Sequence, residues 1–380
     1  MQNNMIDYQL NINWPDFIKN FWQKRPLLIK QGLTNFIDPI SANDLAGLAM
    51  EDEVDSRLVS FQDGSWHVTH GPFDNYEQLG ETGWSLLVQA VNHWHYPSTA
   101  LLAPFRVLSD WRIDDLMVSY SVPAGGVGPH IDQYDVFIIQ GLGRRHWRVG
   151  EKMTLKQHCP HPDLLQVEPF AAIIDEQLEP GDILYIPPGF PHEGYSIETS
   201  LNYSVGFRSP TSRELFSSFA DYLIANDLGS YHYRDPNIAT RDNPAIILPT
   251  ELTEIQHIMQ QLLAQPQIFT HWFGTFISQS RHELDIAPPD PSYTVEQVIQ
   301  LLRQGNTLYK LNGLRTLCVA DQYFVNGEQL NSSKSNITAL NILFEKLEIQ
   351  ADMLGNALNN HYFMQLVTKL INDGYWYFND

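Results

Sequence analysis

Two histidines and one aspartate are the side chains of this chain best suited to hold a metal ion. His130 and Asp132 stand in GGVGPHIDQYDVF, and His192 closes PGDILYIPPGFPHEGY. Two imidazoles and a carboxylate can bind a ferrous ion on one face. The opposite positions stay open, and there a co-substrate and dioxygen can meet. A lone His-x-Asp is a weak signal in a chain with 14 histidines. Its context strengthens it, because a Gly/Pro-rich turn leads into the apolar run YDVFIIQG. On the distal side a turn, a short apolar strand and a proline-stiffened turn deliver His192.

Arg145 adds a second element of chemistry. Period-two alternation in RRHWRVG puts Arg145, Trp147 and Val149 on one face and Arg144, His146 and Arg148 on the other. The first face is apolar, so Arg145 is expected to point inward. A buried arginine needs an anion. A 2-oxo dicarboxylate such as 2-oxoglutarate would meet that need, with its oxo-acid end on iron and its far carboxylate on the guanidinium. A structural Asp or Glu is the plainer partner. Asn202, Ser204 and Gly206 share a face of LNYSVGF, and Ser119 lies in another β-prone run. Asn202 and Ser119 could donate hydrogen bonds to the co-substrate, with an ordinary structural hydrogen bond as the default for each.

Other histidine clusters are weaker. His93 and His95 fall at the end of a helical pattern, where residues two apart diverge by about 200°. His158, Cys159 and His161 offer at most three soft ligands, with no second motif to complete a zinc site.

The elements that must position these residues follow from the pattern. Asn13 or Asp16 caps a helix within residues 13–32, with Pro15 in its first turn and Phe17, Phe21 and Trp22 on one face. The chain turns extended after Pro26. Residues 43–50 and 83–95 read as further short helices. Short β-prone runs fill 57–75 and 115–208, separated by Gly, Pro and Asp turns. They suggest a closed or double-sheet β architecture. Amphipathic helical stretches occupy 211–285, and Ala287–Pro291 reads as a linker. Then come a helix at 295–304, a strand pair around Asn312-Gly313 and Asn326-Gly327, and further helices, together suggesting a winged-helix-like module.

Composition narrows the class. The 380 residues are 43% hydrophobic, as in ordinary globular domains. Cys159 and Cys318 are the two cysteines, without CxxC spacing, which argues for a reducing compartment. The N-terminus carries no export signature, and no apolar run is long enough to span a bilayer. A cytoplasmic location is expected. The net charge of −21 disfavours nucleic acid and suits a basic partner. From residue 291 onward six Lys/Arg face eight Asp/Glu, so the terminal module lacks the basic stripe of a DNA reader. No direct nucleic-acid binding is expected.

Taken together, HIDQYDVF, GRRHWRVGEK, QHCPHPDLL, PGDILYIPPGFPHEGY and NYSVGFRSP resemble the JmjC-type bacterial ribosomal oxygenases, in particular the ribosomal protein arginine hydroxylases. The likeness continues through FISQSRHELDIAPP to GYWYF and covers nearly the whole chain. It implies an α+β fold: a double-stranded β-helix (a JmjC or cupin-like barrel) with an N-terminal helical flank over 1–210. A helical dimerisation segment over 211–290 and a winged-helix-like domain over 291–380 complete it. It implies Fe(II) held by His130, Asp132 and His192, and 2-oxoglutarate bound by Ser119 and Arg145. The implied substrate is an arginine of the large-subunit ribosomal protein L-sixteen, hydroxylated at the β-carbon. The resemblance also implies a homodimer, and its basic ribosomal substrate fits the acidic charge. The triad by itself leaves two alternatives open: a hydroxylase of another residue such as histidine or asparagine, and a non-catalytic cupin-like binding protein. Asp135, near the iron motif, is a candidate partner for a substrate guanidinium.

Overall fold

The computed structural model describes residues 6–331 and 336–379. They form two compact units. The first runs to Ser209 and adds Arg281–Ala287 and Leu311–Gly313. The second takes Pro210–Ser280, Pro288–Lys310 and the chain from Leu314 onward.

The first unit begins with α1 (Trp14–Asn20), where the Asn13 side chain accepts from the Asp16 N–H at 3.1 Å and Pro15 sits in the first turn. Buried Phe17 packs on Phe21, Trp22, Phe137 and Tyr185. β1 (Leu27–Ile29) and α2 (Ala42–Leu48) follow. Next come β2 (Ser56–Gln62), β3 (Ser65–His70), β4 (Trp84–Val88) and the single-turn α3 (Val91–Trp94). Expectation and structure part here: 83–95 is not one helix. WSLLV is apolar apart from Ser85 and does not alternate, and such a run fits a strand buried on both faces as well as a helix. All five residues of β4 are buried between β2 and β5 (Ile113–Ser121).

The remaining strands are β6 (His130–Ile131), β7 (Asp135–Gln140), β8 (Arg145–Gly150), β9 (Gln157–His161), β10 (Leu164–Val167), β11 (Ala172–Leu178), β12 (Ile183–Ile186), β13 (Pro191–Ser196) and β14 (Ser200–Phe207). An eight-stranded sheet has the order β1-β12-β7-β14-β5-β4-β2-β3. A four-stranded sheet has the order β11-β8-β13-β6. The two sheets face each other as a double-stranded β-helix. Val136, Ile138, Leu184 and Ile186 of the larger sheet pack on Trp147, Val149 and Leu178 of the smaller. Its other face, including Phe137, Ile139 and Tyr185, packs into the core shared with α1 and α2. The larger sheet is therefore covered on both sides, which is why β7 and β12 read as apolar runs rather than alternations.

In the second unit α4 (Ser212–Ala225), α5 (Pro249–Leu263) and α6 (Pro266–Ser278) precede α7 (Val295–Arg303). Capping boxes Thr211/Glu214 and Thr294/Gln297 start α4 and α7. β15 (Leu308–Lys310), β16 (Thr316–Val319), β17 (Gln322–Val325), β18 (Glu328–Leu330), α8 (Ile337–Glu345), β19 (Glu348–Ile349), α9 (Ala351–Leu354), α10 (His361–Asn372) and β20 (Trp376–Phe378) complete it. Asn326-Gly327 makes the β17–β18 turn, as its composition suggested. The β16–β17 turn is Ala320-Asp321, both at positive φ, and not Asn312-Gly313. Gly313 serves a close approach instead: a Cβ there would lie 2.4 Å from the His93 ring.

Candidate metal centre

β6 and β13 are antiparallel neighbours, and their register sets His130 directly opposite His192. The ring centroids are 4.3 Å apart. Asp132 follows just beyond β6, and its Oδ2 lies 3.6 Å from His192 Nε2. One ligand atom from each of the three falls within 4.8 Å of the other two. The rings are oriented by their backbones. His130 Nδ1 bonds to the Gly128 carbonyl at 2.9 Å and His192 Nδ1 to the Phe190 carbonyl at 3.0 Å. With Nδ1 protonated by that arrangement, each Nε2 keeps its lone pair free for a cation. The proline turn is tied to the same site, because the Gly189 N–H donates to the Asp132 carbonyl at 2.8 Å. Burial, with His130 alongside, holds His192 down to about 4, so its imidazole is neutral at physiological pH. Neutral imidazole is the metal-binding form.

Arg145 points inward as expected and is 4% exposed. Its guanidinium donates to Ser119 Oγ at 3.2 Å, Asn202 Oδ1 at 3.0 Å and the Gly194 carbonyl at 3.2 Å. Asn202 is itself held by Gln140 Oε1 at 3.0 Å. Arg145 Nε is buried without a partner, and among the described residues no carboxylate pairs with the group. Burial pushes it down to about 10, which still leaves it charged at neutral pH. The plainer expectation, a structural acid on Arg145, is not met.

His130, Asp132, His192, Arg145, Ser119 and Asn202 all line one cavity of about 300 Å³, as does Ser204. Asp135 does not. It is fully buried on the opposite face of β7, bonded to Tyr185 Oη at 2.6 Å, Gln23 Nε2 at 2.9 Å and Arg112 at 3.2 Å. Alternation turns Val136 and Ile138 inward and therefore sends Asp135 outward, which rules it out as a substrate contact. His93 and His95 diverge: the first bonds to the Glu283 carbonyl, the second to Ser98 Oγ.

Sequence reasoning missed several cavity residues. Stepping back by twos from Ser119 along β5 reaches Met117 and Asp115, both in the cavity wall. Asp115 is 8% exposed and accepts from the Ala90 N–H at 3.0 Å. Burial raises its carboxyl, opposed by nearby His282. Asp114, Asp115 and His282 form a second group of metal-capable atoms, with Arg281 paired to Asp114 at 3.1 Å. Arg57, Gln89 and Tyr134 also line the cavity.

A double-stranded β-helix carrying this His-Asp-His cluster and a buried arginine defines a JmjC oxygenase, and the chain belongs to the JmjC family, in its ribosomal oxygenase branch. The JmjC domain family matches residues 100–215 and the ROXA-like winged helix family residues 259–377. Over 373 residues, 98% of this chain and 100% of the relative, the sequence is 60% identical to the ribosomal protein uL16 3-hydroxylase of Escherichia coli. It is 31% identical to a probable ribosomal oxygenase of Haemophilus influenzae, over 83% of this chain and 81% of the relative. The crystal structure of E. coli ycfD superposes with a TM-score of 0.95 at 60% identity, covering 98% of this chain and 100% of that one. A structure of YcfD with cobalt and 2-oxoglutarate gives 0.92 at 58% identity, with the same coverage. Among the described residues no helix is long and apolar enough to cross a membrane.

Proposed function

We propose that this chain is an Fe(II)- and 2-oxoglutarate-dependent hydroxylase acting on the β-carbon of an arginine in ribosomal protein uL16. The observation that carries the reading is one cavity holding both a His-Asp-His donor set and a buried arginine with no acidic partner among the described residues. The donor set fits iron: nitrogen and carboxylate ligands, second nitrogens already engaged, and space on one side only. When bound, iron supplies the oxidising power for attack on an unactivated C–H bond, at the expense of 2-oxoglutarate and dioxygen.

The protein's own residues bind, orient and exclude water. Arg145 takes the far carboxylate of 2-oxoglutarate, and Ser119, Asn202 and the Gly194 carbonyl fix the plane of its guanidinium. Trp147, whose ring lies 5.3 Å from the Arg145 carbon Cζ, walls that end against water. Asp115 offers a carboxylate to a cationic side chain entering the same cavity, with Met117 and Tyr134 as its walls. A buried acid selects a guanidinium over a neutral side chain. The net charge of −21 favours a basic ribosomal partner.

The chain acts as a cytoplasmic homodimer in this reading. In a single chain α5 buries no residue, and Leu252, Ile255 and Met259 lie exposed at helical spacing. Phe216 and Ile224 of α4 are exposed as well. So large an apolar set suits a second copy. The test of function is incubation with Fe(II), 2-oxoglutarate and uL16, followed by tandem mass spectrometry. One added oxygen on a single arginine is expected, absent from an Asp132→Ala control. Succinate formation with no modified arginine would move the substrate elsewhere.

A further inference from the structure

Cross-strand register builds a row of side chains across the larger sheet. Asn202 of β14 lies opposite Ser119 of β5, Ser119 opposite Leu87 of β4, and Leu87 opposite Arg57 of β2. Directly opposed residues project to the same face, so the row that begins at the Arg145 anchor ends at Arg57. Two strand spacings, about 10 Å, separate Arg57 from Ser119. Gln89 lies two residues beyond Leu87, just past the end of β4, and turns to the same side. Both Arg57 and Gln89 line the cavity.

Neither side chain has a hydrogen-bond or ion-pair partner among the described residues. Arg57 is half-buried and its Nε is buried with no hydrogen bond. Among the described residues no acceptor or carboxylate engages its guanidinium. Gln89 is also half-buried and uses its backbone N–H on the Asp55 carbonyl at 2.9 Å, while its carboxamide bonds to none of the described residues. A buried donor left without an acceptor, as at Arg57 Nε, is costly, and in a ligand cavity it points to an acceptor that the ligand brings.

We propose that Arg57 and Gln89 anchor the main chain of the polypeptide substrate beside the residue being hydroxylated. The inference rests on the reading of this cavity as a protein-hydroxylase site. Arg145 already serves the co-substrate and Asp115 the cationic side chain. A second cation is excluded at Arg57 by like charge. What every polypeptide brings, whatever its sequence, is carbonyl oxygens alternating with N–H groups. A guanidinium donates to the former, and a carboxamide matches both. These two residues would thus separate a polypeptide from free arginine.

The experiment uses the full chain with Fe(II), 2-oxoglutarate and a uL16 peptide spanning the target arginine. Arg57→Gln and Gln89→Leu should each raise the peptide KM about ten-fold or more while kcat changes by less than about three-fold. The KM for 2-oxoglutarate should stay put, and Arg57→Lys should recover part of the loss. A peptide with one amide replaced by an ester, next to the target, weakens a carbonyl acceptor. It should bind the wild type less well and the Arg57→Gln variant no worse than the parent peptide, the signature of a shared contact. An unchanged peptide KM in both variants overturns the proposal. So does a parallel rise in the KM for 2-oxoglutarate. An equal loss in the wild type on neutralising an acidic peptide side chain also overturns it, because Arg57 would then read a carboxylate. If the wild type hydroxylates no uL16 peptide at all, both this inference and the underlying functional reading fall.

Discussion

Removing the guanidinium of Arg145 should abolish tight 2-oxoglutarate binding and leave the metal site intact. The group is 4% exposed, and three neutral acceptors hold it with no carboxylate among them. Its charge is therefore uncompensated until the co-substrate arrives. Truncating one partner of a buried, hydrogen-bonded charge pair costs about 2–5 kcal/mol, or roughly thirty-fold to several thousand-fold in affinity. Arg145→Ala should show a loss in that range, and Arg145→Lys should sit near its lower end, because a lysine keeps the charge and gives up the fork. The assay is the KM for 2-oxoglutarate from succinate release at saturating peptide, paired with thermal unfolding. At about a hundred times Kd, 2-oxoglutarate should stabilise the wild type by about 2.7 kcal/mol. The Arg145→Ala protein at the same concentration should gain almost nothing, while a metal-induced shift persists. An Arg145→Ala protein with a 2-oxoglutarate KM within about three-fold of wild type would refute the reasoning.

Other outcomes follow from the same geometry. Asp132→Ala should lose Mn(II) binding by calorimetry and all turnover, since it removes the one anionic ligand of the three. Asp115→Asn should raise the peptide KM by about ten- to a hundred-fold with little effect on the 2-oxoglutarate KM, as expected for loss of a charge-assisted contact to substrate alone. Gly194→Ala would set a Cβ 2.7–2.8 Å from the Trp147 indole, beneath the Arg145 anchor. It should cost about 1–3 kcal/mol in denaturant unfolding and weaken 2-oxoglutarate. On the proposed homodimer, the wild type should sediment as a dimer and the Phe216→Glu, Ile224→Glu variant as a monomer; a monomeric wild type would remove the dimer from the reading.

The convergence of His130, Asp132 and His192 was legible because its signals are local. His-x-Asp in a glycine turn and a histidine after a proline turn need only short segments to declare themselves. Arg145, Ser119 and Asn202 were reachable because strict alternation along β8, β5 and β14 fixes which side chains share a face. Asp115 was within reach of that rule, two steps from Ser119, but its role depends on burial against α3, which alternation does not report. β4 was misread because WSLLV carries no period when both faces are covered. Asp135 was misassigned by proximity in sequence, where a one-residue offset along β7 reverses the face. Arg57 lay beyond local reading: only the pairing of β2, β4, β5 and β14 brings it into line with a cavity whose motifs lie far along the chain.

The most direct measurement is a crystal structure grown without oxygen in the presence of Mn(II) and 2-oxoglutarate, with the metal located by anomalous scattering. The account predicts one ion bonded to His130 Nε2, His192 Nε2 and an Asp132 oxygen, chelated by 2-oxoglutarate whose far carboxylate lies on Arg145. An ion seated instead at Asp114, Asp115 and His282, or a 2-oxoglutarate carboxylate remote from Arg145, would contradict it.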